Sequence, residues 1–155
     1  MKVKWKELIV SIAISLGVGA LSGYLTMNSM SLYNDLVKPP LTPPGWIFPI
    51  VWTILFVLMG ISAYLIYISD SKERVQALQI YAIQLMLNLF WSLVFFNMQA
   101  YLAAFIILIL LWIYIIAMIK IFYEINPIAG KLQVPYLLWV TFAGYLNLAI
   151  YFLNR

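Results

Sequence analysis

Lys38-Pro39-Pro40-Leu41-Thr42-Pro43-Pro44-Gly45-Trp46-Ile47-Phe48-Pro49-Ile50-Val51-Trp52-Thr53 is the stretch that decides how this chain is read. Five of the seven prolines fall inside it. Each fixes φ and removes a backbone donor, so the first half is neither regular helix nor central strand. It reads as a stiff, extended loop. From Gly45 onward the composition turns apolar and aromatic, and Pro49 lies close enough to a helix start to be tolerated in a first turn, where its missing N–H costs little. A rigid loop therefore runs straight into a membrane helix.

The rest of the chain agrees. Its 155 residues are 66% hydrophobic and 9% charged, with a mean hydropathy of +1.01. Nine basic and five acidic side chains cannot cover the surface of a water-soluble domain of this size. The reading is an all-α, polytopic membrane protein. There is no cysteine and no histidine, which removes disulfides, thiolate nucleophiles, imidazole bases and the usual zinc or proximal-haem ligands. No metal and no resident cofactor are expected. The net charge of +4 is no nucleic-acid signal, because Lys2, Lys4 and Lys6 sit beside an apolar run, where they anchor and orient.

About 20 apolar residues cross a bilayer core of roughly 30 Å at 1.5 Å per residue. Five segments qualify, at about 5–27, 45–68, 75–98, 101–123 and 134–153, forming one five-helix transmembrane domain over 1–155 with a lid loop at 28–44. Lys2 to Gly23 also has the basic start, apolar run and small residues of a signal peptide. The apolar part is long for one, and an uncleaved first span is expected. Residues 97–100 read as a tight turn, 124–133 as the last loop, and the fourth span, a nearly pure Ile/Leu run, as mainly a lipid-facing wall. The apolar runs are continuous, unlike the alternation of a membrane barrel.

Five spans put the termini on opposite sides. Lys2, Lys4, Lys6, Lys72, Arg74, Lys120 and Lys131 then share the N-terminal side, against Lys38 and Arg155 on the other. By the positive-inside rule the N-terminus is cytoplasmic in a bacterial plasma membrane, and the proline-rich loop opens to the exterior. Gly19 and Gly23 have the small-xxx-small spacing of a close helix contact, either within one subunit or across a homodimer.

Polar side chains at bilayer depth need an internal partner or a cavity, which makes them functional candidates. Gln84, Asn88, Trp91 and Phe95 share one face of the third span; Trp52, Phe56 and Met59 share a face of the second; Trp139, Phe142, Ala143, Leu146 and Asn147 belong to the fifth. Three faces combining indoles, phenyl rings and amides suit a pocket for a large, flat, mostly apolar ligand. The same residues also serve as interhelical hydrogen-bond glue and space filling, and spacing alone leaves both readings open. Trp5, Trp46 and Trp112 read as interfacial or lipid-facing, while Ser22 and Tyr24 are candidates to reach the same cavity. No ionisable group lies mid-span, which argues against a proton- or ion-coupled transporter. Leu148, Tyr151 and Arg155 satisfy a loose cholesterol pattern that many helix ends match by chance.

Pro39-Pro40-Leu41-Thr42-Pro43-Pro44-Gly45-Trp46-Ile47-Phe48-Pro49-Ile50-Val51-Trp52-Thr53-Ile54-Leu55-Phe56 with Met59-Gly60 resembles the signature of the tryptophan-rich sensory protein, or translocator protein (peripheral-type benzodiazepine receptor), family. Gln84-Leu85-x-Leu87-Asn88-x-x-Trp91-Ser92-x-x-Phe95-Phe96 and Trp139-x-x-Phe142-Ala143-x-x-Leu146-Asn147 are similar to its other two blocks, so the resemblance covers essentially the whole chain and points to a bacterial member. It implies a five-helix homodimer that binds porphyrins, such as protoporphyrin IX and haem precursors, and benzodiazepine-like or isoquinoline-carboxamide drugs under the first loop. By position, the implied pocket residues are Tyr33, Pro43, Ile47, Trp52 and Phe56, with Asn88, Trp91, Trp139, Ala143 and Leu146. The expected partners are thus the lipid bilayer, a porphyrin or drug-like molecule, and a second copy. Three activities follow as expectations: tetrapyrrole binding or sensing, light-dependent porphyrin degradation with Trp52 and Trp139 as electron or radical partners, and translocation of porphyrin or of lipid or sterol. The C-terminal region has less of the family's aromatic cluster, which weakens the sterol reading.

Overall fold

A computed structural model describes residues 2–155. Among these residues seven α-helices follow one another: α1 Trp5–Thr26, α2 Met30–Asn34, α3 Ile47–Tyr67, α4 Arg74–Ser92, α5 Tyr101–Ile125, α6 Pro127–Leu132 and α7 Val134–Leu153. Five continuous helical stretches among the described residues are long and apolar enough to cross a membrane. No strand occurs among the described residues.

Two segments read as loop are helical. Residues 28–34 continue the first span through a 3₁₀ turn, Met27–Ser29, into α2, so the loop begins at Asp35 rather than Asn28. Nothing in Met27–Asn34 breaks a helix; the first breaker is Pro39. Likewise, α6 occupies most of 124–133. Asn126 caps it, with its side-chain oxygen accepting from the Ile128 N–H at 2.9 Å, and Pro127 supplies a first helical position that needs no donor. The third span also ends differently. Leu93–Asn97 widens into a π turn, closed by Met98 N–H donating to the Leu93 carbonyl at 3.1 Å, before the chain reverses at Gln99, whose φ is 53°.

Lipid is as apolar as a helix interior, so packing in a bilayer rests on close van der Waals contact and interhelical hydrogen bonds. The α1–α3 pair shows both. Ser11 and Ser15 hydroxyls donate to the Gly60 and Phe56 carbonyls at 2.7 and 2.6 Å. A Cβ on Gly60 would stand 2.5 Å from Ile12 Cα, so only glycine permits this approach. Gly130 meets the backbone of Tyr123 in the same way, a Cβ there falling 2.8 Å from Tyr123 Cα, which folds α6 against the end of α5. Ser62 on α3 donates to the Ala129 carbonyl at 2.7 Å and fixes α6 to α3.

The fourth span, α5, is largely outward-facing, as expected, but it also carries a packed stripe. Ala104, Leu108, Leu111, Ile115, Met118 and Phe122 are buried along one face that packs on α4, α6 and α7, while Ile106, Ile109 and Ile113 face outward. A helix apolar all round gives no sign in its sequence of which face is inside. Trp5 and Trp46 are about two-thirds exposed, and Trp112 faces outward with its Nε1 donating to Thr141 Oγ1 at 2.9 Å.

Candidate functional site

The proline loop is pinned to the C-terminal part of α7. Pro39 is buried, Thr42 Oγ1 donates back to the Pro39 carbonyl at 2.7 Å, and Leu41 takes a φ of 73°, a left-handed conformation that costs a non-glycine residue roughly 1–2 kcal/mol. Bonds on both sides hold that strained turn. Tyr145 donates its hydroxyl to the Pro40 carbonyl at 2.8 Å. Asn154 grips Val37 twice, accepting from its N–H at 2.9 Å and donating to its carbonyl at 2.7 Å. The loop is therefore fastened to α7 and the residue just beyond it.

A cavity of about 710 Å³ lies among α1, α2, α3, α4 and α7; its lining reaches Tyr33 and Asn34 before the loop and Gly45 after it, and includes no residue of 35–44. Of the residues proposed from sequence, Tyr33, Trp52, Phe56 and Asn88 line it, as do Trp91, Trp139, Ala143 and Leu146. Pro43 and Ile47 are half-buried and stand outside the lining. Gly19 and Gly23 both line the cavity, and a Cβ on Gly19 would come within 2.7 Å of the Phe56 ring. Ser22 reaches it; Tyr24 points away and is exposed. Leu148 and Tyr151 are half-buried, and the exposed Arg155 guanidinium lies 5.2 Å from the Phe152 ring centroid and 5.9 Å from that of Tyr151, all three apart from the cavity.

Aromatic rings give the cavity its walls. Trp52 stacks obliquely on Phe56 and Trp91, with centroids 5.7 and 6.3 Å apart, and Trp91 continues to Phe95 at 5.5 Å. On the opposite side Phe48 meets Trp139 edge-on at 5.8 Å, and at the loop end Tyr33 meets Phe96 at 5.6 Å. Such pairs hold one another's orientation and present flat faces inward. The π turn places Phe95 and Phe96, adjacent in sequence, both on the cavity wall.

The amides are committed to the scaffold as well. Trp91 Nε1 donates to Asn147 Oδ1 at 2.9 Å, and Asn147 Nδ2 donates to the Tyr101 carbonyl at 2.8 Å. Asn88 Nδ2 donates to the Tyr136 hydroxyl at 2.8 Å, which donates onward to Gln84 Oε1 at 2.7 Å. Gln84 lies below the cavity, outside its lining, so hydrogen-bond glue describes it; Asn88 and Asn147 serve as glue while still facing the cavity. Tyr136 was missed from sequence, yet it lies on the same face of α7 as Val140, Ala143 and Asn147, and that periodicity was its signal. Phe48, Ser92 and Phe96 were also unassigned wall residues.

Residues 11–153 match the TspO/MBR family. The chain is 44% identical over 150 residues to a tryptophan-rich protein TspO of Chlorobaculum tepidum, covering 95% of each sequence. It is 34% identical over 154 residues to a tryptophan-rich sensory protein of Cereibacter sphaeroides, covering 99% of this chain and 95% of the relative. Human translocator protein is 31% identical over 144 residues, covering 91% of this chain and 85% of the relative. With three tryptophans brought together in one cavity among its membrane helices, this integral membrane protein belongs to the TspO/MBR family.

Proposed function

We propose that the chain binds a tetrapyrrole, protoporphyrin IX or a close haem precursor, in the cavity among its membrane helices. The carrying observation is the 710 Å³ space walled by Trp52, Trp91 and Trp139 with the Asn88 amide among its polar lining groups. That volume falls in the range of roughly 300–1,000 Å³ usual for organic ligands. A broad macrocycle gains stacking area from indoles already held in place, so little side-chain entropy is lost on binding. The same walls suit flat benzodiazepine-like or isoquinoline-carboxamide molecules. In this reading the protein sits in a plasma membrane with its N-terminus cytoplasmic, works as a homodimer, and senses or passes on its ligand as the names of its relatives suggest.

The test is a fluorescence titration of purified protein with protoporphyrin IX. Quenching of tryptophan emission that saturates, and that weakens about tenfold, or ~1.4 kcal/mol, in Trp52→Phe or Trp139→Phe, supports the reading. No quenching, or quenching indifferent to both substitutions, sinks it.

A second reading follows from the same two residues. Trp52 and Trp139 both lie on the cavity lining, where an indole can give an electron to a photoexcited porphyrin held between them. Light-dependent loss of bound porphyrin that slows in the two Trp-to-Phe variants supports degradation; equal loss with wild-type and variant protein removes it.

A further inference from the structure

The cavity is lined without a charge. None of its lining residues is Asp, Glu, Lys or Arg, and its Asn88 and Asn147 amides are already bonded to neighbouring helices. An ionised carboxylate carried deep into that space would lose its water and gain no cation in exchange, which is steeply unfavourable. One exposed part of the lining is at the loop end, where Asn34 and Gly45 both face outward and a Cβ on Gly45 would meet nothing within 4 Å. Lys38 stands there. Its Nζ lies 4.8 Å from the centroid of the Tyr33 ring and donates to the Asn34 and Leu36 carbonyls at 3.2 and 3.3 Å. Because Tyr33 and Asn34 both line the cavity, the ammonium is seated on two residues of its edge.

A lysine ammonium has three N–H donors, and two of them here go to carbonyls that leave its charge unneutralised. Asp35, the one acidic residue of the loop, forms no ion pair with it among the described residues. Capping the carbonyls at the end of α2 is a structural role any cation could fill. A half-buried cation beside a neutral, aromatic-walled cavity also meets the need of an acidic ligand. We propose that Lys38 is the carboxylate-binding position of this site: a flat apolar body lies among the indoles, its carboxylate stays at the loop end, and Lys38 Nζ donates to it. The proposal rests on the binding reading above and deepens it by giving the ligand class, a planar molecule with an acidic side arm. A porphyrin with its propionates belongs to that class, whereas a neutral drug-like molecule fills the same walls without using Lys38. Arg155, the other cation at this end, lies against Tyr151 and Phe152, apart from the cavity, and is not placed to share the role.

The experiment titrates full-length protein, in one detergent, with protoporphyrin IX and with its dimethyl ester, which has the same macrocycle and no charge. Partition into micelles is the same for wild type and variants, so the quantity read is how the ratio of the two dissociation constants changes on mutation. In Lys38→Gln, or in Lys38→Met if that variant does not fold, the preference for the diacid should fall about tenfold, the scale of one charge-assisted hydrogen bond. In Lys38→Arg it should stay within about threefold of wild type, and in Arg155→Gln within about twofold. A lysine that only caps α2 would, when replaced, weaken both ligands alike, and that result overturns the proposal. So does an unchanged preference in Lys38→Gln, or an equal fall in Lys38→Arg or Arg155→Gln. If wild type binds neither porphyrin, the tetrapyrrole reading fails, and 1-pyrenebutyrate with its methyl ester then puts the same question. A preference for that acid that is lost in Lys38→Gln upholds the carboxylate position; no such preference, or no binding, overturns it.

Discussion

Trp91 and Asn147, fifty-six positions apart, meet as donor and acceptor at 2.9 Å. Asn147 passes the contact on by donating to the Tyr101 carbonyl, so one amide joins α7 to α4 and to the first turn of α5. The indole is held from below while its face stays turned to the cavity. Cavity wall and helix packing therefore share atoms here.

Breaking that pair should cost stability as well as wall geometry. Interhelical hydrogen bonds in membrane proteins contribute about 0.6 kcal/mol on average and up to roughly 2 kcal/mol. A double-mutant cycle of Trp91→Phe and Asn147→Ala, read by unfolding in detergent, should give a coupling in that range. Strict additivity would mean the bond contributes nothing.

Two buried tyrosines should behave oppositely. The Tyr136 hydroxyl accepts from Asn88 and donates to Gln84, so Tyr136→Phe leaves two buried amides short of partners and should cost about 1–3 kcal/mol. The Tyr81 hydroxyl is buried with no partner among the described residues. Tyr81→Phe removes an unpaid desolvation and should be neutral or stabilising. Thermal unfolding of the two variants side by side tests the contrast.

Glycines on the first and second spans can be sorted by what surrounds them. Gly60→Ala drives a methyl into the Ile12 backbone and should destabilise by about 1–3 kcal/mol as α1 is pushed off α3. Gly17→Ala meets nothing within 4 Å and replaces a poor helix former, so it should be neutral or gain up to roughly 1 kcal/mol. Melting temperatures that fall equally in both would contradict this assignment.

Asn154→Ala should loosen the loop without melting the bundle. The Val37 N–H loses its acceptor, so exchange of the Val37 amide should accelerate about tenfold or more while α5 stays protected. Unchanged protection of the loop would place its anchor elsewhere.

The five spans and the stiff loop were legible because apolar runs and proline clusters are local signals. Asn126-Pro127 was an equally local signal for α6, a capping side chain followed by a tolerated proline, and it was passed over as a loop. The inward face of α5 had no signal at all, since Ile106 in lipid and Leu108 in the core are chemically alike. The candidate site was legible as faces: Trp52, Phe56, Asn88, Trp91 and Trp139 all reached one cavity. What spacing could not tell was how Asn88 and Asn147 divide their hydrogen bonds between neighbours and cavity, because that depends on Tyr136 and Tyr101 arriving from other helices. The π turn at Leu93–Asn97 was likewise invisible, since no residue type demands it.

The bond between Val37 and Asn154 spans 117 positions, and this sets an order on synthesis. At roughly 5–20 residues per second the ribosome needs on the order of ten seconds to make the residue that fastens the loop after the loop itself has emerged. Throughout that interval the nascent bundle has its loop but not its clasp. The loop is thus fastened by a residue made long after it, and until then both polar groups of the Val37 backbone must find water or lipid headgroups instead.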